Sequence, residues 1–413
     1  MANVTKLTHL EHIEDVMLAP KAEGGGVDGC HTAVAWMRQL LKMLGEASAS
    51  GGFLQTKWDG APSIVCGQNP LAKENFFIGT KSVFNKGKPL AAFYPEQIKE
   101  MYKKAEVQNK LLIAFDLLKD AGIEGVIQGD LMYTPGDVKR ETIKGEELLI
   151  FKPNTITYAI PENSELGQKV LNSKIGVVFH TPYKGGSIRE ITAAGGRVAI
   201  EKFKAAAWEK GVFVIDNDTP LQDIAVSKTT LEQFEKKISE IDIACTKSGK
   251  FINLLVDRFD TSIPGKFHIA NYIKSYFNDE VKQGGIVNPN RLVKDIARFY
   301  QEQMRKEIKQ VTSEKAQEVR RDSYIVGIQY LKQHQNEFIS MVKLYKSMQE
   351  AKSIVMDSLD KLEKFKTFAL TPNGYKVTRP EGYVLHVDGN MIKLIDRLEF
   401  AFLNFTLPKQ WKS

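Results

Sequence analysis

The 413-residue sequence predicts an α+β fold interrupted by a large helical insertion. Three observations carry this. From residue 52 to about residue 213, short β-type runs stand between glycines. From about 227 to 368 the chain turns to Lys, Glu, Gln and Leu, with apolar residues at helical spacing. Strand-like sequence then returns, so the helical stretch reads as inserted into a strand-bearing domain.

Taken in order, residues 1–50 form an N-terminal helical segment. Residues 9–17 are a short amphipathic piece and 32–44 a stronger one, with Gly24, Gly25 and Gly26 between them. Strands are predicted over 53–57, 63–66, 76–79, 125–132, 148–152, 156–159, 177–181 and 212–215, and helices over 95–104, 109–122 and 199–210. The strands are too short and too unevenly spaced for a regular βαβ alternation. Within the insertion, 226–369, helical spacing is clearest over 292–311 and 316–348; Pro and Gly break it at 262–265 and 284–289. Strands over 376–378, 383–386 and 391–395 follow, with Asp388 and Gly389 as a hairpin turn. The strand-bearing domain therefore comprises 51–225 and 370–413.

Composition narrows the class. A hydrophobic content of 43% with 26% charged residues is that of a soluble globular chain. No apolar run has the length of a membrane span, and the first residues lack the apolar core of a secretory signal, so a cytoplasmic protein with no membrane partner is expected. Cys30, Cys66 and Cys245 are odd in number and far apart, which argues against a disulfide framework or a cysteine zinc site. The net charge of +7 suits a polyanionic partner. There is no glycine-rich phosphate loop of the Walker or Rossmann type.

Residues 54–63, Leu-Gln-Thr-Lys-Trp-Asp-Gly-Ala-Pro-Ser, place Lys57 at the end of a buried strand just before a tight turn. Burial disfavours an ammonium, so this lysine is expected to lose its proton near neutral pH and act as a nucleophile. Trp58 is expected to pack beneath it. A lysine that attacks a nucleotide α-phosphate also needs carboxylates for a divalent metal, cations for the phosphates and an aromatic residue for the base.

Those companions occur downstream. Lys57-Trp58-Asp59-Gly60 resembles the nucleotidyl-lysine motif of the covalent nucleotidyltransferases, which comprise the nucleic-acid ligases and the mRNA capping enzymes. Ile127-Gln128-Gly129-Asp130-Leu131-Met132 resembles their third motif, with Asp130 where Glu is usual. Val177-Val178-Phe179-His180-Thr181 resembles the strand whose aromatic residue stacks on the purine, which makes Phe179 the candidate. Pro380-Glu381-Gly382-Tyr383 resembles the fourth motif, with Glu381 as the second carboxylate, and Asp388 to Leu394 resembles the fifth, whose lysine is Lys393. Gly79-Thr80-Lys81-Ser82 resembles the segment that carries a basic residue near the ribose and phosphates.

The resemblance covers roughly residues 50–215 and 370–400. It implies an ATP-grasp-like ligase adenylation domain of antiparallel sheets with flanking helices. It further implies Lys57 and Lys393 as catalytic residues, Asp130 and Glu381 as holders of Mg²⁺ or Mn²⁺, and Thr56, Asp59, Gly60, Lys81, Phe179 and Arg397 as contacts to ATP. The single hairpin between the last two motifs is most like the phage-type RNA ligases, and the chain as a whole resembles a group of tailed-phage proteins. Ser63 stands where DNA ligases carry arginine, and little chain follows the fifth motif to form an OB domain, so RNA is expected over DNA as substrate. Ile395 replaces a second lysine of the fifth motif; Arg397, on the same strand face, is the substitute expected to bind the outgoing pyrophosphate. The implied activity is an ATP-dependent polynucleotide ligase. The alternatives are a DNA ligase, a capping-type guanylyltransferase, or an altered member that binds nucleic acid or serves in a virion. His180 and His386 read as wall residues, and His9 with His12 as a solvated helix face. The basic stretch 305–321, interleaved with acids, reads as a solvated helix or an RNA-contacting surface.

Overall fold

The computed structural model describes residues 11–46, 52–85, 87–143, 145–219, 226–261, 269–283, 291–360, 366–371, 374–377, 381–388 and 390–395. The architecture is α+β. Strands β1 (Gly52–Lys57), β2 (Ser63–Asn69), β3 (Ala72–Gly79), β4 (Val126–Tyr133), β5 (Lys139–Ile143), β6 (Glu146–Phe151), β7 (Thr157–Pro161), β8 (Ile175–Lys184), β9 (Thr192–Ala193) and β10 (Val212–Val214) precede the helical region. β11 (Lys366–Thr371), β12 (Gly374–Val377), β13 (Gly382–Val387) and β14 (Asn390–Leu394) follow it. They form a three-stranded sheet in the order β1-β13-β14, a six-stranded sheet β10-β8-β4-β2-β3 with β9 on β8, and a five-stranded sheet β12-β11-β7-β6-β5. The pairings are antiparallel except β8 with β10.

Helices α1 (Val27–Gly45), α2 (Pro95–Met101), α3 (Ala105–Leu118), α4 (Glu165–Leu171) and α5 (Lys204–Glu209) accompany the strands. The insertion is built of α6 (Lys228–Thr261), α7 (Ile269–Lys282), α8 (Leu292–Lys309), α9 (Glu314–Gln333) and α10 (Gln335–Leu359). β11 begins at Lys366, inside the span assigned to helices from sequence, and the polar strand β5 was not expected. The predicted helix at 9–17 is a 3₁₀ turn over Ile13–Leu18.

Two cores flank the future site. In the first, Met17, Met37 and Cys30 from the N-terminal segment meet Phe234 and Leu255 of α6, Met341 and Tyr345 of α10, and Leu54, Tyr383, Leu385 and Ile392 of the three-stranded sheet. The N-terminal segment, the helical region and this sheet therefore share one interior. In the second, β2, β4 and β8 turn Ile64, Cys66, Ile127, Leu131, Val177 and Phe179 toward α2, α3 and Phe203. Because strand side chains alternate, each sheet presents its other face to the space between them.

Candidate active site

That space is a cleft of about 460 Å³. β1, β13 and β14 line one wall with Gln55, Lys57, Val384, His386 and Lys393; β2, β4 and β8 line the other with Ser63, Gln128, Asp130, Val178 and His180. Thr56, Asp59, Gly60, Lys81 and Glu381 also face it. Of the residues expected to touch ATP or metal, all described ones converge here except Phe179. That residue is fully buried on the far face of β8, edge-on to Phe203 at 5.6 Å between ring centroids. Its role as base clasp is corrected by strand parity: Val178 and His180, its neighbours, point into the cleft. Arg397 and His9 lie outside the described residues.

The lysine sits where register puts it. Lys57 pairs with Gly382 across β1 and β13, so Glu381 arrives beside it, and Nζ lies 2.5 Å from Glu381 Oε2. Gly382 has φ +140°, and a β-carbon there would lie 2.3 Å from the Leu394 carbonyl oxygen, so only glycine lets the strand leave at this angle. Gly60 is required for a different reason. A β-carbon on it would lie 2.5 Å from Asp130 Cβ, so its absence lets the lysine turn close onto β4.

Asp59 holds that turn. Its Oδ1 accepts from Asn154 Nδ2 at 2.7 Å, and its Oδ2 accepts from the backbone N–H groups of Thr155 and Ile156 at 2.7 and 2.8 Å. The carboxylate expected to bind nucleotide is thus engaged in fixing the β6–β7 loop beneath the turn. Trp58 is buried against Tyr158, with ring centroids 5.3 Å apart, and it also borders the cleft.

Electrostatics revise one expectation. Burial alone would lower the Lys57 ammonium, but Glu381, Asp130 and Asp59 outweigh it and hold its pKa above the ordinary value. Lys57 therefore keeps its proton in this arrangement; the prediction that burial frees it is corrected by three nearby carboxylates. Burial pushes Glu381 up to about 7, against the pull of Lys57. Asp130 behaves oppositely: burial would raise it, but His180, Lys57 and Lys81 together hold it below its ordinary value. His180 Nε2 stands 3.6 Å from Asp130 Oδ2.

A polar end of the cleft was missed from sequence. Residues 217–219 run along the free edge of β1: Thr56 N–H donates to the Asn217 carbonyl at 2.7 Å, and Thr219 N–H to the Leu54 carbonyl at 3.0 Å. The buried Gln55 side chain joins Asn217, 3.4 Å away, to His386, whose Nε2 is 2.9 Å from Gln55 Oε1. His386 is stacked on Phe53, and burial, aided by His180 and Arg197, pushes it down to about 4. The signal available was parity: Gln55 shares its strand face with Lys57. The stretch Asn217-Asp218-Thr219 has only loop-like composition.

Lys393 comes from β14, opposite Val384. Its backbone N–H donates to the Glu11 carbonyl at 3.0 Å, so the N-terminal segment edges the strand that carries it. Among the described residues no group of three or more His, Cys, Asp or Glu side chains is arranged to hold a metal. No helix among them is long and apolar enough to cross a membrane.

No curated protein and no solved structure matches the chain. A family profile does match, over residues 3–409, and it is described as a family of unknown function (DUF6267). With nearly its whole length covered, the chain belongs to that family.

Proposed function

We propose that the protein is an ATP-dependent polynucleotide ligase, acting on RNA in preference to DNA through an AMP adduct on Lys57. One observation carries the reading: a lysine, two acids and two further lysines from five separate segments line a single cleft. Lys57 is the nucleophile. The nearest acceptor for its proton is Glu381 Oε2, on a carboxyl that burial pushes up to about 7. The Lys57 Nζ–P bond forms as the bond from the α-phosphorus to pyrophosphate breaks. Lys393 and Lys81 offset charge on the phosphates, and a 5′-phosphate end then takes AMP from Lys57 before a 3′-hydroxyl displaces it.

Mg²⁺ or Mn²⁺ fits this donor set. Asp130 and Glu381 supply hard carboxylate oxygens from opposite walls, and such ions take one or two carboxylates with water and substrate phosphates completing the shell. Bound there, the ion would stabilise negative charge on the phosphates.

Incubation with α-labelled ATP and a divalent cation tests the reading. Covalent label is expected on the wild-type chain and none on Lys57→Ala. A chain that takes no label from any nucleotide overturns the enzyme reading. It would favour the second one, a nucleic-acid-binding protein of the same build, which Asp130 in place of Glu and Ile395 in place of Lys support. Label from GTP alone would redirect the assignment to guanylyl transfer.

A further inference from the structure

α8 carries two opposed faces. Leu292, Ile296, Tyr300 and Met304 are buried. At 3.6 residues per turn, Arg291, Lys294, Arg298, Arg305 and Lys309 fall within about 60° of arc on the side away from them. All five are exposed. They run the length of the helix, about 27 Å for its 18 residues. Lys294 and Arg298, like Arg305 and Lys309, stand four residues apart, where equal charges repel and weaken a helix. Exposed charges on α6 mix signs instead: among Lys228, Glu232, Glu235, Lys236, Glu240, Lys247 and Lys250, opposite charges stand four residues apart at 228/232, 232/236 and 236/240.

Most acids near the stripe sit at one end. Asp295 lies 3.7 Å from both Arg291 and Arg298, and Glu280 and Asp279 of α7 lie beside the same pair. Glu302 borders the middle. Among the described residues Lys294, Arg305 and Lys309 form no ion pair, and Lys306 adds to their end of the helix.

We infer that the outward face of α8 binds the phosphate backbone of the polynucleotide substrate. This rests on the ligase reading and names what the helical insertion contributes to it. A row of like charges that costs the helix stability is offset by a polyanion whose charges repeat along a line, with release of that polymer's counterions. The contact is to phosphates, so it is independent of base sequence.

The test uses the full chain and a labelled 24-nucleotide single-stranded RNA, with affinity measured from 50 to 200 mM salt. Lys294→Gln/Arg305→Gln/Lys309→Gln is expected to weaken binding by about tenfold or more and to flatten the log–log salt slope by about 2. Lys228→Gln/Lys236→Gln/Lys247→Gln on α6, with the same change in net charge, is expected to stay within about twofold of wild type. Equal loss in both variants overturns the inference, as does wild-type binding to phosphatidylserine vesicles without binding to RNA. Single Arg305→Ala, an exposed change to a good helix former, keeps the test valid if the triple variant does not fold. Labelling of Lys57 separates the two claims. α8 variants should label at the wild-type rate; a wild-type chain that binds RNA through α8 yet never labels sinks the ligase reading alone.

Discussion

The two walls of the cleft are built differently. The wall of β2, β4 and β8 has its own core against α2 and α3, made wholly from residues between 64 and 214. The wall of β1, β13 and β14 joins strands from opposite ends of the chain, with Leu54 beside Leu385, and packs its back on the N-terminal segment and the helical region. The first wall is local in sequence and supplies Asp130 and His180. The second is assembled over long range and supplies Lys57, Glu381 and Lys393. Ordering the nucleophile beside its acid therefore requires the helical region to be folded. The insertion is part of the site's foundation as well as a candidate substrate surface.

The most severe way to break this comparison is at the buried pair beneath the second wall. Lys352 of α10 lies 2.9 and 3.0 Å from the two oxygens of Glu14, and Tyr345 OH donates to Asp15 at 2.8 Å. Lys352→Met strands a buried carboxylate and is expected to cost about 3–5 kcal/mol in urea unfolding, whereas Glu14→Leu/Lys352→Met should recover most of that. A single variant as mild as a surface change would show that the pair does not join the helices to the wall.

Next in size is the chemistry itself. Glu381→Gln removes the carboxylate touching Lys57 and should slow single-turnover labelling by about 10²–10³-fold. Asp130→Asn, on the other wall, should cost less, about tenfold, because it weakens the hold on the divalent ion but leaves Lys57 its acid. Equal losses would erase the distinction between a wall that carries the nucleophile and one that supports it.

The same division explains what the sequence made legible. Lys57 could be read from its setting at a strand end, and Asp130, Glu381, Lys393 and Lys81 from short stretches that resemble the nucleotidyltransferase motifs, each on or beside a strand. Phe179 was misread by a single step of strand parity, since Val178, Phe179 and His180 are all plausible wall residues until the opposing core is known. The Glu14–Lys352 pair was invisible, being 338 residues apart and of a type that normally faces water. Asn217 was hidden in loop-like sequence. Lys57 was expected to be deprotonated because burial is legible locally, while two of the three acids that reverse it, Glu381 and Asp130, arrive from distant segments.

A smaller effect reads the second wall by pH. His386 titrates at about 4 in the native chain, against roughly 6.5 when unfolded. Between those values the unfolded chain holds a proton that the native one does not, so acid favours unfolding. This contribution vanishes above about pH 6.5 and grows to about 3 kcal/mol of lost stability as pH falls to 4. His386→Gln, which keeps a polar partner for Gln55, should flatten stability against pH in that window. An unchanged slope would mean that other groups govern acid unfolding.

The least costly change falls where the walls meet. Gly60 ends the turn that carries Lys57 from β1, and its missing β-carbon leaves room for Asp130 on β4. Its backbone does not lie in the left-handed region, so alanine is tolerated conformationally and only the contact is tested. Three atoms crowd the new methyl: Asp130 Cβ at 2.5 Å, Met132 Sδ at 2.9 Å and the Leu131 carbonyl oxygen at 3.1 Å. The Met132 side chain can yield, but the other two belong to β4 and its immediate side-chain root, so the walls must part. Gly60→Ala should therefore cost about 1–3 kcal/mol of stability. Because it moves Asp130 relative to Lys57, labelling should fall by about tenfold at a temperature where the variant remains folded. A destabilised variant that labels at the wild-type rate would show that the second wall does the chemistry unaided, and that Asp130 is a neighbour of the reaction and not a participant.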